Sequence, residues 1–405
     1  VLQPSPFRVE PTCEYFGLCG GCKWQNLRYD QQLEWKRRHV VDAVERIGGL
    51  KEIRITQTLP CTEEYFYRNK MEFSFGASRW LTEEDMQLEE PPRRDFALGL
   101  HIPGRFDKVL DIERCYLQSD VSSRIVNATR QFALDRNLPS YSTRTHTGIL
   151  RHLVVRTSVW SGETMAILVT SEALPVAMEE YATMLRKEVP EVTTLVQGIH
   201  EGKAQVSFTH DVRTLFGNGT ITEKIAGNLF TISPFSFFQT NTRQGELLYE
   251  RALAAAGLTG DEKVWDLYCG AGTITLAAAR SAYRVLGAEI HEGSVEDARR
   301  NAERNGIQNA DFIAGDLRHT IDHAAEHFIP DVVITDPPRA GMHDDVLKAL
   351  LRLSPRRISY VSCNPTTQAR DLAVLAASYA IEQIEPVDMF PQTNHVETVA
   401  TLVLR

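Results

Sequence analysis

The sequence predicts an α/β protein in which a central β-rich α+β domain carrying a cysteine cluster precedes a C-terminal Rossmann-like domain. The length of 405 residues exceeds one ordinary core, which favours two domains. Short strands punctuated by glycines fill the middle of the chain, whereas strands alternate with helices from about residue 237. That alternation is typical of a doubly wound parallel sheet, for which we expect seven strands.

Composition places the chain among soluble globular proteins, with 43% hydrophobic and 24% charged residues. The sequence has no long apolar run and no secretory signal, so we expect a cytoplasmic protein without a membrane partner. The net charge of -9 disfavours nucleic acid as a general partner. Between Arg124 and Arg156, however, six arginines stand against one acid, Asp135, which indicates either a basic face or an ordinary solvated surface.

Three cysteines, Cys13, Cys19 and Cys22, crowd one glycine-rich segment near the start of the chain. In a cytoplasmic protein such a cluster favours metal binding over disulfides. The chemistry of the thiols fits zinc and an iron–sulfur cluster about equally. Cys61 and Cys115 both remain open as a fourth ligand.

A helix is predicted after the cysteines, because Leu33, Val40 and Val44 recur at helical spacing. Asp30 can cap its start, and a pair of glycines beginning at Gly48 can end it. We expect this segment to be a separate helical piece between two parts of the central domain.

The stretch from about residue 58 to residue 235 predicts short strands and turns. Within it, Thr82–Asp95 is acidic and contains proline, so we expect a mobile loop there. The predicted strands are Met71–Phe75, Ala97–His101, Leu153–Ser158, Met165–Thr170 and Ala204–Phe208.

The C-terminal part predicts a strand, a glycine turn and a helix, followed by further strands of a parallel sheet. The first helix is expected at Thr273–Arg280 and two last strands between Ile381 and Leu404. The five strands before them are predicted at Val264–Tyr268, Arg284–Ile290, Asp311–Ala314, Val332–Thr335 and Ile358–Ser362.

The glycine turn after the first of these strands predicts a cofactor pocket. Gly270 and Gly272 let the backbone approach a ligand at the carboxyl edge of the sheet. A dinucleotide is disfavoured, because its third glycine would fall at Thr275. Asp266, at the end of the strand, suits the charged methionine portion of S-adenosylmethionine better than a pyrophosphate.

Two further acids end the next two strands. Glu289 stands where it could accept hydrogen bonds from ribose hydroxyls, although an ordinary acid at a strand end is an equal reading. Asp316 is well placed for an adenine amino group. A cofactor with a charged sulfonium is therefore favoured over a dinucleotide.

The fourth and fifth strands end in Asp336-Pro337-Pro338 and in Cys363-Asn364-Pro365. The prolines restrict the backbone around Asp336 and hold its side chain at a fixed angle. In methyltransferases an aspartate or asparagine followed by two prolines lies beside the transferable methyl group. A lone cysteine at the end of a buried strand is usually a packing residue. Because Cys363 shares a sheet edge with the cofactor turn, it is instead a candidate nucleophile.

Several motifs occur together in a fixed order along the chain, and they accompany the spacing of the three cysteines. They are Tyr67–Lys70, Phe235–Asn241, Asp-Leu-Tyr-Cys-Gly-Ala-Gly from Asp266, Asp-Pro-Pro-Arg-Ala-Gly from Asp336, Val-Ser-Cys-Asn-Pro around Cys363 and His-Val-Glu-Thr-Val from His395. With these motifs the chain resembles the RNA uracil-C5 methyltransferase family over essentially its whole length. The resemblance implies a class I methyltransferase domain and S-adenosylmethionine as the methyl donor.

The resemblance also implies roles for individual residues. Cys363 is expected to be the nucleophile, Glu397 the general base and Asp336 the residue that orients base and cofactor. Gln239 and Tyr268 join the cofactor and uracil site, beside the acids described above. An RNA cytosine-C5 enzyme would carry a cysteine directly after the proline of the Asp336 motif. This chain has Pro338 and Arg339 there, which favours uracil over cytosine as the target base.

For the cysteine cluster, the resemblance implies a [4Fe–4S] cluster with Cys115 as the fourth ligand. It also favours 23S rRNA over tRNA as the substrate. We further expect a monomeric protein. The segment from Ser5 to Pro11 resembles the exit from a small N-terminal β-barrel RNA-binding domain, which we expect to be missing from this chain.

These expectations divide the chain into a central iron–sulfur and RNA-binding domain (1–24 and 58–236), a helical segment packing on the catalytic domain (25–57) and the methyltransferase domain (237–405). Two alternatives remain open. One is an amino-methyltransferase that uses Asp336-Pro-Pro without a nucleophile. The other is a non-catalytic iron–sulfur RNA-binding protein.

Overall fold

The structure is a computed structural model that describes residues 3–405. Its strands form an eight-stranded sheet, a two-stranded hairpin and a seven-stranded sheet. The elements up to residue 216 are α1 (Tyr29–Arg46), β1 (Lys70–Gly76), β2 (Arg79–Trp80), α2 (Glu83–Gln87), β3 (Ala97–Ile102), β4 (Arg105–Asp111), α3 (Asp120–Asp135), β5 (Leu150–Thr157), β6 (Thr164–Thr170), α4 (Pro175–Glu188), β7 (Val192–Ile199) and β8 (Asp211–Phe216).

The eight-stranded sheet has the order β2-β4-β3-β1-β5-β6-β7-β8 and is antiparallel except at β2–β4 and β6–β7. Helices α3 and α4 cover one face through residues such as Ile125, Tyr181 and Leu185. The opposite face contributes Val154 and Ile167 to a second core shared with the C-terminal part of the chain. The sheet therefore has no unpacked apolar face at its centre.

The predicted strands of this sheet are confirmed except for the last. Residues 204–208 are irregular, and β8 begins later, at Asp211. The buried guanidinium of Arg151 donates to the carbonyl oxygens of His200, Gly202 and Ala204, in the loop that leads into this stretch, at 2.8, 2.7 and 2.5 Å. Helices α3 and α4 were not predicted, and the predicted loop at Thr82–Asp95 contains the short helix α2.

The arginines between Arg124 and Arg156 do not form a basic face, so that interpretation was wrong. Four of them pair with acids and two are buried, so their charges are neutralised or withdrawn from solvent. The pairs are Arg124–Glu191, Arg130–Asp111, Arg136–Glu180 and Arg144–Asp107, and the buried residues are Arg151 and Arg156, the latter donating to the Ser236 carbonyl.

The C-terminal elements follow a hairpin that leads into the second large sheet. They are β9 (Ile221–Ile225), β10 (Asn228–Ile232), α5 (Thr242–Ala256), β11 (Lys263–Leu267), α6 (Thr273–Ala279), β12 (Arg284–Glu289), α7 (Glu292–Arg304), β13 (Ala310–Ala314), α8 (Leu317–His327), β14 (Val332–Thr335), α9 (Asp344–Leu353), β15 (Arg357–Ser362), α10 (Pro365–Leu375), β16 (Tyr379–Val387) and β17 (Glu397–Leu404).

The seven-stranded sheet has the order β13-β12-β11-β14-β15-β17-β16, in which only β17 is antiparallel to its neighbours. Helices α5, α6 and α7 pack on one face, and α1, α8, α9 and α10 pack on the other. The predicted α/β fold with a doubly wound Rossmann-like sheet is confirmed. Its parallel strands bring their carboxyl ends to one edge, where ligands bind in such folds.

Helix α1 lies against α10 and β16 through Val40, Ala43 and Val44. The predicted cap was wrong, because Asp30 lies in the first turn and pairs with Arg28. A side chain on Gly48 would meet the carbonyl oxygens of Val44 and Ala369 at 2.8 and 2.9 Å, so this glycine allows the close approach to α10.

Among the described residues, no helix is both long enough and apolar enough to cross a membrane.

Candidate functional site

The glycine turn after β11 has the open backbone that the sequence predicts. Tyr268, Gly270 and Gly272 all have positive φ, at 66°, 55° and 86°. Glu289, at the end of β12, holds the turn, because its Oε2 accepts a hydrogen bond from the Gly270 amide at 3.1 Å. Its Oε1 accepts from the His291 amide at 3.0 Å. Glu289 therefore fixes the shape of the glycine turn, in addition to lying at the carboxyl edge of the sheet.

Asp266 is fully buried at the end of β11. Its Oδ2 accepts a hydrogen bond from Thr275 Oγ1 at 2.6 Å, whereas Oδ1 has no partner among the described residues. Burial raises the pKa of this carboxyl group to about 7, against the hydrogen bond from Thr275 and with a further contribution from the charge of Asp336. A buried carboxylate oxygen without a donor is a fitting partner for a cationic ligand.

The remaining predicted cofactor residues lie on neighbouring loops. Asp316 caps α8, with its Oδ1 accepting from the Arg318 amide at 3.0 Å, and the Arg318 side chain holds its pKa at about 2. Tyr268 is near enough to Asp316 for its charge to raise the tyrosine pKa, after burial. Gln239 precedes α5, and its carbonyl oxygen accepts from Asn69 Nδ2 at 2.8 Å.

Asp336, Cys363 and Glu397 meet where β14 and β15 end and β17 begins. The antiparallel register pairs Ser362 with Thr398, which makes Cys363 and Glu397 neighbours across the two strands. The Asp336 amide donates to the carbonyl oxygen of Leu267 at 3.3 Å, which ties this residue to the glycine turn. Three residues from three strands thus share one edge with the cofactor turn.

Burial raises the pKa of all three side chains in this group. Burial raises the pKa of Glu397 to about 8, helped by the charge of Asp336 and opposed by Arg339. Burial raises the pKa of Asp336 to about 6. The pKa of the Cys363 thiol is also raised, first by burial and then by the charges of Glu397 and Asp336. A cation or a proton acceptor must therefore enter the site before the thiolate forms readily.

Sequence reasoning did not assign a role to Arg339, the cation of this site. Its charge lowers the pKa of both Cys363 and Glu397, and its Nη2 lies 2.9 Å from His395 Nδ1. Its own carbonyl oxygen accepts from Asn364 Nδ2 at 3.0 Å. The signal was present, because Arg339 stands within the Asp336 motif.

Tyr249 of α5 is a second residue that the sequence did not single out. It is 3% exposed and lies close to Asp336 and Asp266, whose charges add to burial in raising its pKa. A tyrosine inside an amphipathic helix gives no local signal that distinguishes it from a packing residue.

The four cysteines of the predicted cluster border one cavity of about 550 Å³ in the central domain. Cys61 is not among its lining residues, and its sulfur instead receives a hydrogen bond from Asn241 Nδ2 at 3.6 Å. Within residues 3–405, no group of three or more His, Cys, Asp or Glu residues is arranged to hold a metal ion. The cavity is lined by the thiols of Cys13, Cys19, Cys22 and Cys115.

A doubly wound sheet carries at one edge a glycine turn, an Asp-Pro-Pro loop and a buried aspartate with one carboxylate oxygen that has no partner among the described residues. These features define a class I methyltransferase. Comparisons with known proteins agree. The family model described as tRNA (uracil-5-)-methyltransferase matches residues 225–405. Among solved structures, the tRNA (uracil-54, C5)-methyltransferase of Pyrococcus abyssi, in complex with S-adenosyl-L-homocysteine, is similar with a TM-score of 0.77 and 30% identity over 99% of this chain and 87% of that one.

Curated relatives match almost the whole chain. A protein of Bacteroides thetaiotaomicron named as an uncharacterized RNA methyltransferase is 44% identical over 99% of this chain and 89% of its own length. A protein of the same description from Chlorobaculum tepidum is 43% identical over 99% of this chain and 84% of its own length. The chain therefore belongs to the RNA uracil-C5 methyltransferase family and is an S-adenosylmethionine-dependent enzyme.

Proposed function

We propose that this enzyme transfers a methyl group to C5 of a specific uridine in RNA through a covalent adduct between Cys363 and C6 of the base. The observation that carries the proposal is the meeting of Cys363, Glu397 and Asp336 at the edge that holds the cofactor turn. A nucleophile, a buried carboxyl group of raised pKa and an orienting carboxylate are the groups that this chemistry requires.

Uracil C5 is a poor nucleophile, so the thiolate of Cys363 first adds to C6 and turns C5 into an enolate carbon. S-adenosylmethionine, when bound, supplies the methyl group that C5 attacks. Glu397, in its ionised form, then removes the C5 proton, and the C6–sulfur bond breaks to return the thiolate and 5-methyluridine. The base must leave its stack to reach Cys363, which requires base flipping.

Arg339 and Asp336 support these steps in two different ways. The guanidinium of Arg339 lowers the pKa of Cys363 and Glu397, so it favours both the thiolate and the carboxylate. Asp336 orients the base and the cofactor, together with Gln239. Glu289 and Asp316 bind the ribose and the adenine, and Asp266 with Gly270 and Gly272 receives the methionine portion.

The proposal is tested by trapping with RNA that contains 5-fluorouridine, which lacks the C5 proton that Glu397 would remove. We expect a stable protein–RNA adduct that forms only with S-adenosylmethionine and whose peptide map locates the link at Cys363. An amino-methyltransferase would form no adduct. A non-catalytic RNA-binding protein would neither bind S-adenosylmethionine nor form the adduct.

Binding of S-adenosylmethionine is expected to tighten about tenfold between pH 5.5 and pH 7.0, as Asp336 and Asp266 lose their protons. Both carboxyl groups have raised pKa values, of about 6 and about 7, so they are largely neutral at the lower pH and attract the cationic cofactor only as pH rises. Isothermal titration calorimetry across this range measures the effect.

S-adenosylhomocysteine is the matched control for this prediction, because it keeps the α-ammonium group but lacks the sulfonium charge. We expect its affinity to depend less on pH. Equal pH dependence of the two ligands would contradict the proposal that Asp336 lies beside the sulfonium.

We further propose that Cys13, Cys19, Cys22 and Cys115 hold a [4Fe–4S] cluster. Support comes from the resemblance of the cysteine spacing and from the shared cavity of about 550 Å³ that all four cysteines line. Their thiols are not gathered around one metal position in this structure, so cluster binding has to draw them together. When bound, the cluster supplies a rigid cross-link between the N-terminal segment and the loop before α3.

For anaerobically purified protein, we expect Cys115→Ser to lose the iron and the visible absorption of the cluster. Cys61→Ser is the matched control and should retain both, because Cys61 lies outside the cavity. Zinc in place of iron in the unmodified protein would overturn the proposal, as would equal iron loss in the two variants.

Our preferred substrate is 23S rRNA, on the resemblance of the cysteine cluster to the ribosomal branch. tRNA is the second candidate, because the similar Pyrococcus abyssi structure is that of a tRNA methyltransferase. Mapping 5-methyluridine in both RNAs from a strain lacking the gene distinguishes them. We propose the domain division stated above, with the protein acting as a monomer.

A further inference from the structure

Helix α1 and the catalytic edge enclose a groove of about 550 Å³ with Cys363 among its lining residues. On one side the groove is bordered by His39, Asp42 and Arg46 of α1. On the other it is bordered by Arg339 and His395. Hereafter this feature is called the α1 groove.

We propose that the α1 groove binds the unpaired RNA strand next to the flipped uridine, with Arg46 on α1 meeting its phosphate backbone. This inference rests on the proposed function, because it takes Cys363 as the point that the target base reaches. A flipped base remains attached to its own sugar and phosphates, so the backbone must pass through whatever space adjoins the nucleophile.

The charge of the groove fits this partner. Its described walls carry two guanidinium groups, of Arg46 and Arg339, and one carboxylate, of Asp42. Arg46 pairs with Asp42 at 3.1 Å, but its side chain is 77% exposed and free to turn toward a phosphate. Exposed arginines between Arg124 and Arg156 pair with acids in the same way, but none of them lines this groove. What distinguishes Arg46 is its position in the same groove as the Cys363 thiol.

The two histidines of the groove add uncharged surface. Burial lowers the pKa of His39 and of His395, so both rings are neutral at neutral pH. The His39 ring lies 5.7 Å from Trp24 and 6.5 Å from Trp35, measured between ring centroids. Neutral rings and Ile47, which is 52% exposed, can pack against sugars and unstacked bases without favouring one sequence.

The α1 wall is held rigidly in place by a buried polar network. Lys36 Nζ lies 2.5 Å from Asp388 Oδ1, with both side chains fully buried. Tyr29 donates to the second oxygen of Asp388 at 2.9 Å, and Gln32 Nε2 donates to Gln392 Oε1 at 2.9 Å. Because Asp388 and Gln392 belong to the segment that leads to His395, the same contacts fix both walls of the groove.

The test compares Arg46→Glu with Arg38→Glu. Both arginines lie on α1, are exposed and pair with an acid four residues earlier, but Arg38 is not among the groove residues. We expect Arg46→Glu to weaken binding of a short oligouridylate about tenfold at low salt and to reduce the salt dependence by about one phosphate contact. Arg38→Glu should change neither, and both variants should bind S-adenosylmethionine like the unmodified protein.

Oligouridylate binding like that of the unmodified protein in Arg46→Glu would overturn the proposal, as would equal weakening by Arg38→Glu. Binding is measured in the Cys363→Ala background as well, so that the result does not depend on covalent chemistry. If the 5-fluorouridine adduct fails to form while Arg46→Glu still weakens binding, the proposed function fails and the α1 groove stands. If the adduct forms with Cys363 and Arg46→Glu has no effect on binding, the proposed function stands and the proposal for the α1 groove fails.

Discussion

Replacing Cys363 by Ala is expected to abolish methyl transfer to RNA, with a fall in turnover of more than about a thousandfold. Without the thiolate, C5 never gains enolate character, and no other sulfur can replace it at this point. Cys269, the other cysteine of this edge, is 7% exposed in the glycine turn, and burial raises its pKa well above the usual range. Transfer of a labelled methyl group to RNA from a strain lacking the gene measures the effect.

Two controls separate this loss from misfolding. Cys363→Ala should bind S-adenosylmethionine with unchanged affinity, because the cofactor contacts proposed here come from other residues. Cys61→Ala should keep methyl transfer, since its sulfur lies away from the edge, against Asn241. Methyl transfer retained by Cys363→Ala would refute the covalent mechanism and leave the Asp336-Pro-Pro chemistry of an amino-methyltransferase.

Glu397→Gln is expected to stop the reaction after methyl transfer, with turnover reduced about a hundredfold to ten-thousandfold. The amide cannot accept the C5 proton, so the bond between Cys363 and C6 persists. Ordinary uridine RNA, without fluorine, should then remain attached to the protein on denaturing gels and carry one labelled methyl group.

The double variant Cys363→Ala, Glu397→Gln is the control and should form no adduct. The single variant should also gain stability at pH 8 relative to the unmodified protein and little at pH 5. The pKa of Glu397 is raised to about 8 in the folded state, so folding opposes its ionisation increasingly as pH rises above the ordinary value of a carboxyl group. If ordinary RNA were released normally by Glu397→Gln, another residue must be the base.

The C-terminal sheet could be predicted from the sequence because each of its strands has a local signal. Val332–Thr335 is a run of apolar and β-branched residues that ends at a proline pair, and its observed bounds agree with the prediction. The strands of the central sheet were harder to predict, because tertiary contacts decide where they begin and end. Residues 204–208 read as a strand but form a loop, and Arg151, 53 residues earlier, binds the Ala204 carbonyl at its start.

The same distinction applies to the site. Cys363 and Asp336 could be placed at one edge because each follows a predicted parallel strand, whereas Glu397 was assigned only from the resemblance of its motif to the family. The pairing of the arginines between Arg124 and Arg156 could not be predicted. The acids that neutralise them, such as Glu180 and Glu191, come from distant positions in the sequence. The role of α1 as one wall of the groove depends in the same way on contacts about 350 residues apart in sequence.

Those contacts between α1 and the 388–392 segment join the start of the chain to its end. Amide groups of Lys23 and Trp24, directly after the cysteines, also donate to the Gln392 carbonyl at 2.8 and 3.0 Å. During synthesis, α1 can dock fully only after residues 388–392 have emerged, because its buried polar partners lie there. Closure of the α1 groove therefore follows the folding of the sheet edge that forms its other wall.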